Sequence, residues 1–139
     1  MTDYVVVRSE TRTVALPVTE VEEVLVLDRV LSAPGVMAAV RGVAPVRDRL
    51  LPVAHLGALL EDTAAPAHAG ATGVVIATEG GRFVLEVDDA EDLVTVPTEA
   101  LPHGWRGLWA TTAIRRAGAL IPVVDVAWLA ERLEGVGTS

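Results

Sequence analysis

A chain of 139 residues with a net charge of −8 and 51% hydrophobic residues is long enough to bury a core and short enough to be one domain. The negative charge argues against nucleic acid and anionic lipid, both of which need clustered cations. Cysteine is absent and all eleven Lys-plus-Arg residues are arginine, which excludes a disulfide framework, a thiolate nucleophile, a zinc–thiolate site and any Schiff-base or P-loop lysine.

Val, Leu and Ala dominate and aromatics are few, a composition that favours strands. There is no apolar run of about 18 residues that would span a membrane. Met1 to Tyr4 lacks a basic n-region and leads straight into a strand pattern, so a cytoplasmic location without membrane insertion is expected. Tyr4 to Val7 and Thr13 to Val18 read as two strands around a turn at Arg8 to Arg12. Val18, Val21, Val24 and Leu25 recur at helical spacing and predict a short helical turn. Val24 to Leu31 looks extended, Ser32 to Gly35 is a turn, and Val36 to Val40 is a candidate helical turn.

Arg41 to Leu60, RGVAPVRDRLLPVAHLGALL, is the stretch around which the rest is organised. It sets a turn containing Arg47, Asp48 and Arg49 between two hydrophobic strands and ends in a leucine-spaced tail. A basic loop held by a rigid scaffold suits recognition. Glu61 to Gly73 reads as a linker. Val74 to Thr78 and Arg82 to Val87 form a hairpin around Gly80-Gly81. Asp88 to Val94 is a second acidic segment, Pro97 to Trp105 a loop, and Leu108 to Arg115 and Leu120 to Val124 are strands around a turn at Arg116 to Gly118. Ala127 to Leu133 closes the chain with a helical turn, and Gly135 to Ser139 is expected to fray.

Two blocks recur in order. VALPVTEVEEVL from Val14 lines up with FVLEVDDAEDLV from Phe83, and LLPVAHL from Leu50 with LIPVVDV from Leu120, at offsets of 69 and 70 residues. Such internal similarity predicts a duplicated unit within one 1–139 domain, with subdomains at roughly 14–60 and 74–133 and strands exchanged between them.

Catalytic signatures are missing. His55, His68 and His103 lack ligand spacing, and His55, at a strand end, is expected to hydrogen-bond a turn. Glu20/Glu22/Glu23 and Asp88/Asp89/Glu91/Asp92 lack the EF-hand pattern and read as solvated turn faces. Glu23 is set apart as a partner for Arg47, in a pair that fixes the loop. No nucleophile sits with a base, so no enzyme is expected, and no cofactor or metal. Carboxylate chemistry at Asp88 and Asp89 is a minor alternative.

The anchor stretch resembles the G-V-x-N-x-R-G-x-x-x-P-V-x-D-L segment of CheW-like domains, the adaptors of bacterial chemosensory arrays. VALPVTEVEEVL, VVIATEGGRFVLEVDDAEDL and ALIPVVDVAWLAERL are similar to three further segments of that family, and together they cover about Tyr4 to Leu133. The resemblance implies a mainly β fold of two intertwined five-stranded SH3-like barrels with short helices. It implies an adaptor between a CheA-type histidine kinase, met through the kinase's own CheW-like domain, and the cytoplasmic tip of chemoreceptors. It also implies barrel edges that pair with the kinase domain, while the high β content with exposed edges itself allows self-association. By motif, Gly42, Val43 and Arg47 fall at the receptor groove, Glu23 supports it, and Val21 and Val87 are looser candidates. The chain departs from the family pattern at Pro45, Asp48, His55 and Val84. These departures admit two other readings: a divergent scaffold of a pilus or surface-motility pathway, and a regulatory barrel that binds a small ligand.

Overall fold

The computed structural model describes residues 1–32, 37–67, 70 and 72–133. Alternating apolar and polar residues dominate those segments, and the result is mainly strand. The elements run β1 (Thr2–Ser9), β2 (Arg12–Pro17), a single 3-10 turn (Val18–Glu20), β3 (Val21–Val26), β4 (Leu31–Ser32), β5 (Val40–Val46), β6 (Arg49–His55), α1 (Leu56–Glu61), β7 (Thr72–Thr78), β8 (Gly81–Val87), β9 (Asp89–Val96), β10 (Ala110–Arg116), β11 (Ala119–Val124) and α2 (Val126–Arg132). No helix among the described residues is long and apolar enough to cross a membrane.

Two sheets form, in the orders β10-β11-β2-β1-β9 and β3-β7-β8-β6-β5-β4. Neither is built from one half of the chain. β9 returns to pair antiparallel with β1, and β3 reaches forward to pair antiparallel with β7. The parallel contacts are reciprocal too: β6 runs beside β8, and β11 beside β2. The second sheet gains a sixth strand because the two-residue β4 adds to the edge of β5.

Buried residues divide the same way. Tyr4, Val6, Ala15, Ile114, Ile121 and Val123 form a small core of the first sheet. Ala44, Val46, Leu51, Val53, Val75 and Val84 form one of the second. The largest cluster lies between the sheets and draws on both, including Leu16, Ile76, Leu85, Trp109 and Leu129. α1 is buried along Leu56 to Leu60 and wedges into this shared core.

Two acidic segments differ from the sequence expectation. Helical spacing after Val18 holds for one 3-10 turn only, and Val21 to Val26 continues as an edge strand. Asp89 to Val96 is a strand, not an acidic turn. Ala90, Val94 and Val96 are partly buried against the cores, while Glu91, Asp92 and Leu93 face solvent. Period-two alternation there is masked by the adjacent acids and by the outward Leu93. The leucine tail after His55 is the helix α1. Residues 33–36, His68 and 134–139 lie outside the described residues, and with them most of the turn expected at Ser32 to Gly35 and the expected fraying of the C-terminus.

Candidate functional site

The β5–β6 hairpin carries the site. Its strands close on the pair Val46–Arg49, which leaves Arg47 and Asp48 as a two-residue turn. Arg47 takes a positive φ of 55°, an uncommon conformation for a bulky side chain that tight turns demand. Pro45 stands opposite Leu50, one step outside the closing pair. By the alternation of an antiparallel ladder its nitrogen points away from β6, so the ladder loses no donor there.

Arg47 meets Glu23 of edge strand β3. Its Nε donates to Oε1 at 3.1 Å and its Nη2 to Oε2 at 3.3 Å. The register of β3 against β7 shifts between Val21 and Glu23, and such an irregularity re-aims side chains. On either side of it, consecutive acids find different arginines, with Glu22 accepting from Arg82 Nε at 2.7 Å. Glu22 is therefore an ion-paired strand residue where the sequence suggested a turn face, and Glu23, set apart from that face, meets Arg47 as expected. Arg47 is 75% exposed and Glu23 26%, so the desolvation cost expected of a partly buried pair does not arise, and its worth to folding is about 0.2–1 kcal/mol.

The other candidates lie around this pair. Val21 opens β3 opposite Ile76, half-buried against the shared core. Gly42 and Val43 sit in β5 where β4 adds, opposite Ser32 and Leu31. A side chain at Gly42 would collide with the Leu31 carbonyl, so β4 can dock only on glycine. Val87, at the end of β8, is 1% exposed and belongs to the core. Of the six residues, the fold brings Glu23 and Arg47 into direct contact.

One polar arrangement escaped sequence reasoning, and a second, at His55, realises the strand-end hydrogen bond expected of it. Glu86 is fully buried in β8, and both its carboxylate oxygens accept from Arg41 Nε, at 2.9 and 2.8 Å, while the Gly70 N–H donates to Oε2 at 3.0 Å. A glutamate inside the apolar run FVLEV was the available signal. His55 caps α1: its Nδ1 accepts from the Ala58 N–H at 3.1 Å, as Asp125 Oδ1 accepts from the Ala127 and Trp128 N–H groups on α2. Asp88 accepts from the Glu10 N–H at 2.6 Å and lies 3.8 Å from Arg8, holding the β1–β2 turn. Asp92 pairs with Arg116 at 3.0 Å.

Two cavities accompany these groups. A small one of about 210 Å³ lies between Arg47, Arg49, Arg82 and Glu22, over Val46 and Leu51. A cleft of about 650 Å³ opens between the β7–β8 turn and α2, with Pro52 and Glu20 at its side. Arg82 lines both. Asp88 and Asp89 line neither. Among the described residues no three His, Asp or Glu side chains converge in a way that would hold a metal.

Two interlocked sheets whose notable polar groups are ion pairs, caps and an arginine-bearing hairpin define a surface-presenting β-scaffold. The CheW-like domain model matches residues 3–134, and the chain belongs to that family of scaffold and adaptor proteins. Its fold is similar to the crystal structure of the scaffolding protein TtCheW from Thermoanaerobacter tengcongensis, with a TM-score of 0.79 at 15% identity over 92% of this chain and 86% of that one. No curated protein sequence matches the chain.

Proposed function

We propose that this protein is a non-enzymatic adaptor that couples a CheA-type histidine kinase to the cytoplasmic tips of chemoreceptors. The observation that carries the reading is the family match across residues 3–134. The exposed Glu23–Arg47 pair supports its receptor side. A bidentate carboxylate fixes the guanidinium in one pose, and a fixed, solvent-facing arginine is a good anchor for a partner helix. Gly42, Val43 and Val21 shape the surface beside it, and Val87 supports it from within the core. The kinase side falls to the sheet edges. β3 exposes Val24 and Val26, and β9 exposes Leu93, and open edges with apolar residues invite strand pairing with the kinase's CheW-like domain or with a second copy. The protein acts in the cytoplasm, beside the membrane receptors.

Co-sedimentation with the kinase regulatory domain and with a receptor-tip hairpin separates the two contacts. The wild type is expected to bind both in the micromolar range, typical of transient assemblies. Arg47→Ala should lose the receptor tip and keep the kinase domain, and a charge placed at Val26 should do the reverse. Binding of neither partner from the same genome would refute the coupling role. Retention of the receptor tip by Arg47→Ala would refute the site.

A further inference from the structure

The cleft of about 650 Å³ beside α2 opens where the shared core meets solvent, and Phe83, Val126 and Leu133 of that core form its apolar floor. Glu20, Glu79 and Glu131 stand on its rim. None of these three side chains has an ion-pair or hydrogen-bond partner among the described residues. Arg82 also borders the cleft but is held by Glu22 at 2.7 Å. Several other acids of this chain are neutralised by arginine, as in Glu61–Arg12, Asp92–Arg116 and Asp62–Arg132, and among the described residues the three on the rim are not. A purely apolar ligand would leave the rim carboxylates to be desolvated without compensation, whereas cations flanking an apolar stripe would complement them. One wall presents Ala127 and Ala130, three residues apart on α2, and the other presents Gly80 and Gly81. Such small side chains let another backbone approach closely, and the i, i+3 spacing lays them on one face for a helix to cross.

We infer that this cleft docks a cationic amphipathic helix, with its apolar stripe on Phe83 and Lys or Arg beside Glu20, Glu79 and Glu131. The inference rests on the cleft's own chemistry and does not require the kinase–receptor coupling proposed above. The test is a ¹⁵N-NMR titration with three synthetic peptides: a helix with a leucine stripe flanked by lysine, the same helix flanked by glutamate, and a scrambled lysine peptide without the stripe. The first should shift the amides of Gly80, Gly81, Ala127 and Ala130, and the other two should leave them in place. The triple variant Glu20→Gln, Glu79→Gln, Glu131→Gln should weaken the first peptide about tenfold, as three surface ion pairs of ordinary strength would. Ala130→Trp, which fills the cleft and leaves its charge intact, should also weaken it. Shifts confined to other faces, equal binding of the glutamate or scrambled peptide, or unchanged affinity in the triple variant would each overturn the assignment.

Discussion

His55 is a departure from the family pattern that the structure explains by chemistry. The position must supply an acceptor for the Ala58 N–H at the start of α1, and the imidazole Nδ1 does so. Its register partner across the β6–β8 ladder is the fully buried Glu86. An aspartate here would set a second carboxylate beside a buried one, whereas a neutral imidazole caps without adding charge. His55→Asn should therefore stay near wild-type stability, and His55→Ala should lose about 1 kcal/mol or more from the missing cap and lost packing. His55→Asp should fall below the asparagine variant despite being an equally good cap. Urea denaturation of the three variants decides, and equal stability of Asp and Asn would dismiss the charge argument. Glu86 itself carries a larger effect. Glu86→Ala strips both carboxylate bonds from Arg41 and the acceptor from Gly70. The expected loss is on the order of 3 kcal/mol, because a mostly buried guanidinium would lose its counter-charge. A loss below about 1 kcal/mol would mean that solvent already screens the pair.

At the scale of elements, the hairpins were the most legible part of the sequence. Gly80-Gly81 and Arg116 to Gly118 mark turns through residues that tolerate a positive φ, and Ala117 and Gly118 do take φ values of 50° and 83°. β9 was obscured because two forces wrote its sequence at once: a buried face at Val94 and Val96, and an edge that keeps charges outward. The contact of Glu23 with Arg47 was legible as a pairing of the last acid of its run with the hairpin arginine, although 24 residues and two strands separate the partners. The α2 cleft was beyond reach, because Glu20, Glu79 and Glu131 belong to three distant segments that the exchange of strands brings together. Gly42 offers a test at this scale. Gly42→Ala leaves the β5–β6 ladder intact but drives a methyl into the Leu31 carbonyl. β4 should detach, with hydrogen-exchange protection lost at Leu31 and Ser32, and stability should drop by about 2 kcal/mol. Retained protection there would show that β5 can yield instead.

Over the whole molecule, the exchange of strands has an energetic consequence. Each sheet has a small core of its own, but the largest cluster belongs to both. Removing one sheet would expose Leu16 and Trp109 on one side or Ile76 and Leu85 on the other, apolar surface worth about 1.5–3 kcal/mol for each large side chain. It would also break ladders that cross between the chain halves, β1–β9 in one sheet and β3–β7 in the other. The ion pair between Arg132 of α2 and Asp62 at the end of α1, at 2.7 Å with the guanidinium stacked on Trp128, adds a further tie between the halves. Neither sheet can leave alone, so unfolding should be a single transition. All three tryptophans lie in the second half of the chain, Trp105 and Trp109 leading into β10 and Trp128 on α2. All three pack in or against the shared cluster and none in the second sheet's own core, so their fluorescence reports on that cluster, while far-UV circular dichroism reports from both sheets. The denaturation midpoints by the two probes should coincide. Val84→Ala, a cavity in the second sheet's own core away from every tryptophan, should shift both midpoints equally. A fluorescence midpoint that stays in place while the dichroism midpoint falls would mean that the sheets unfold independently.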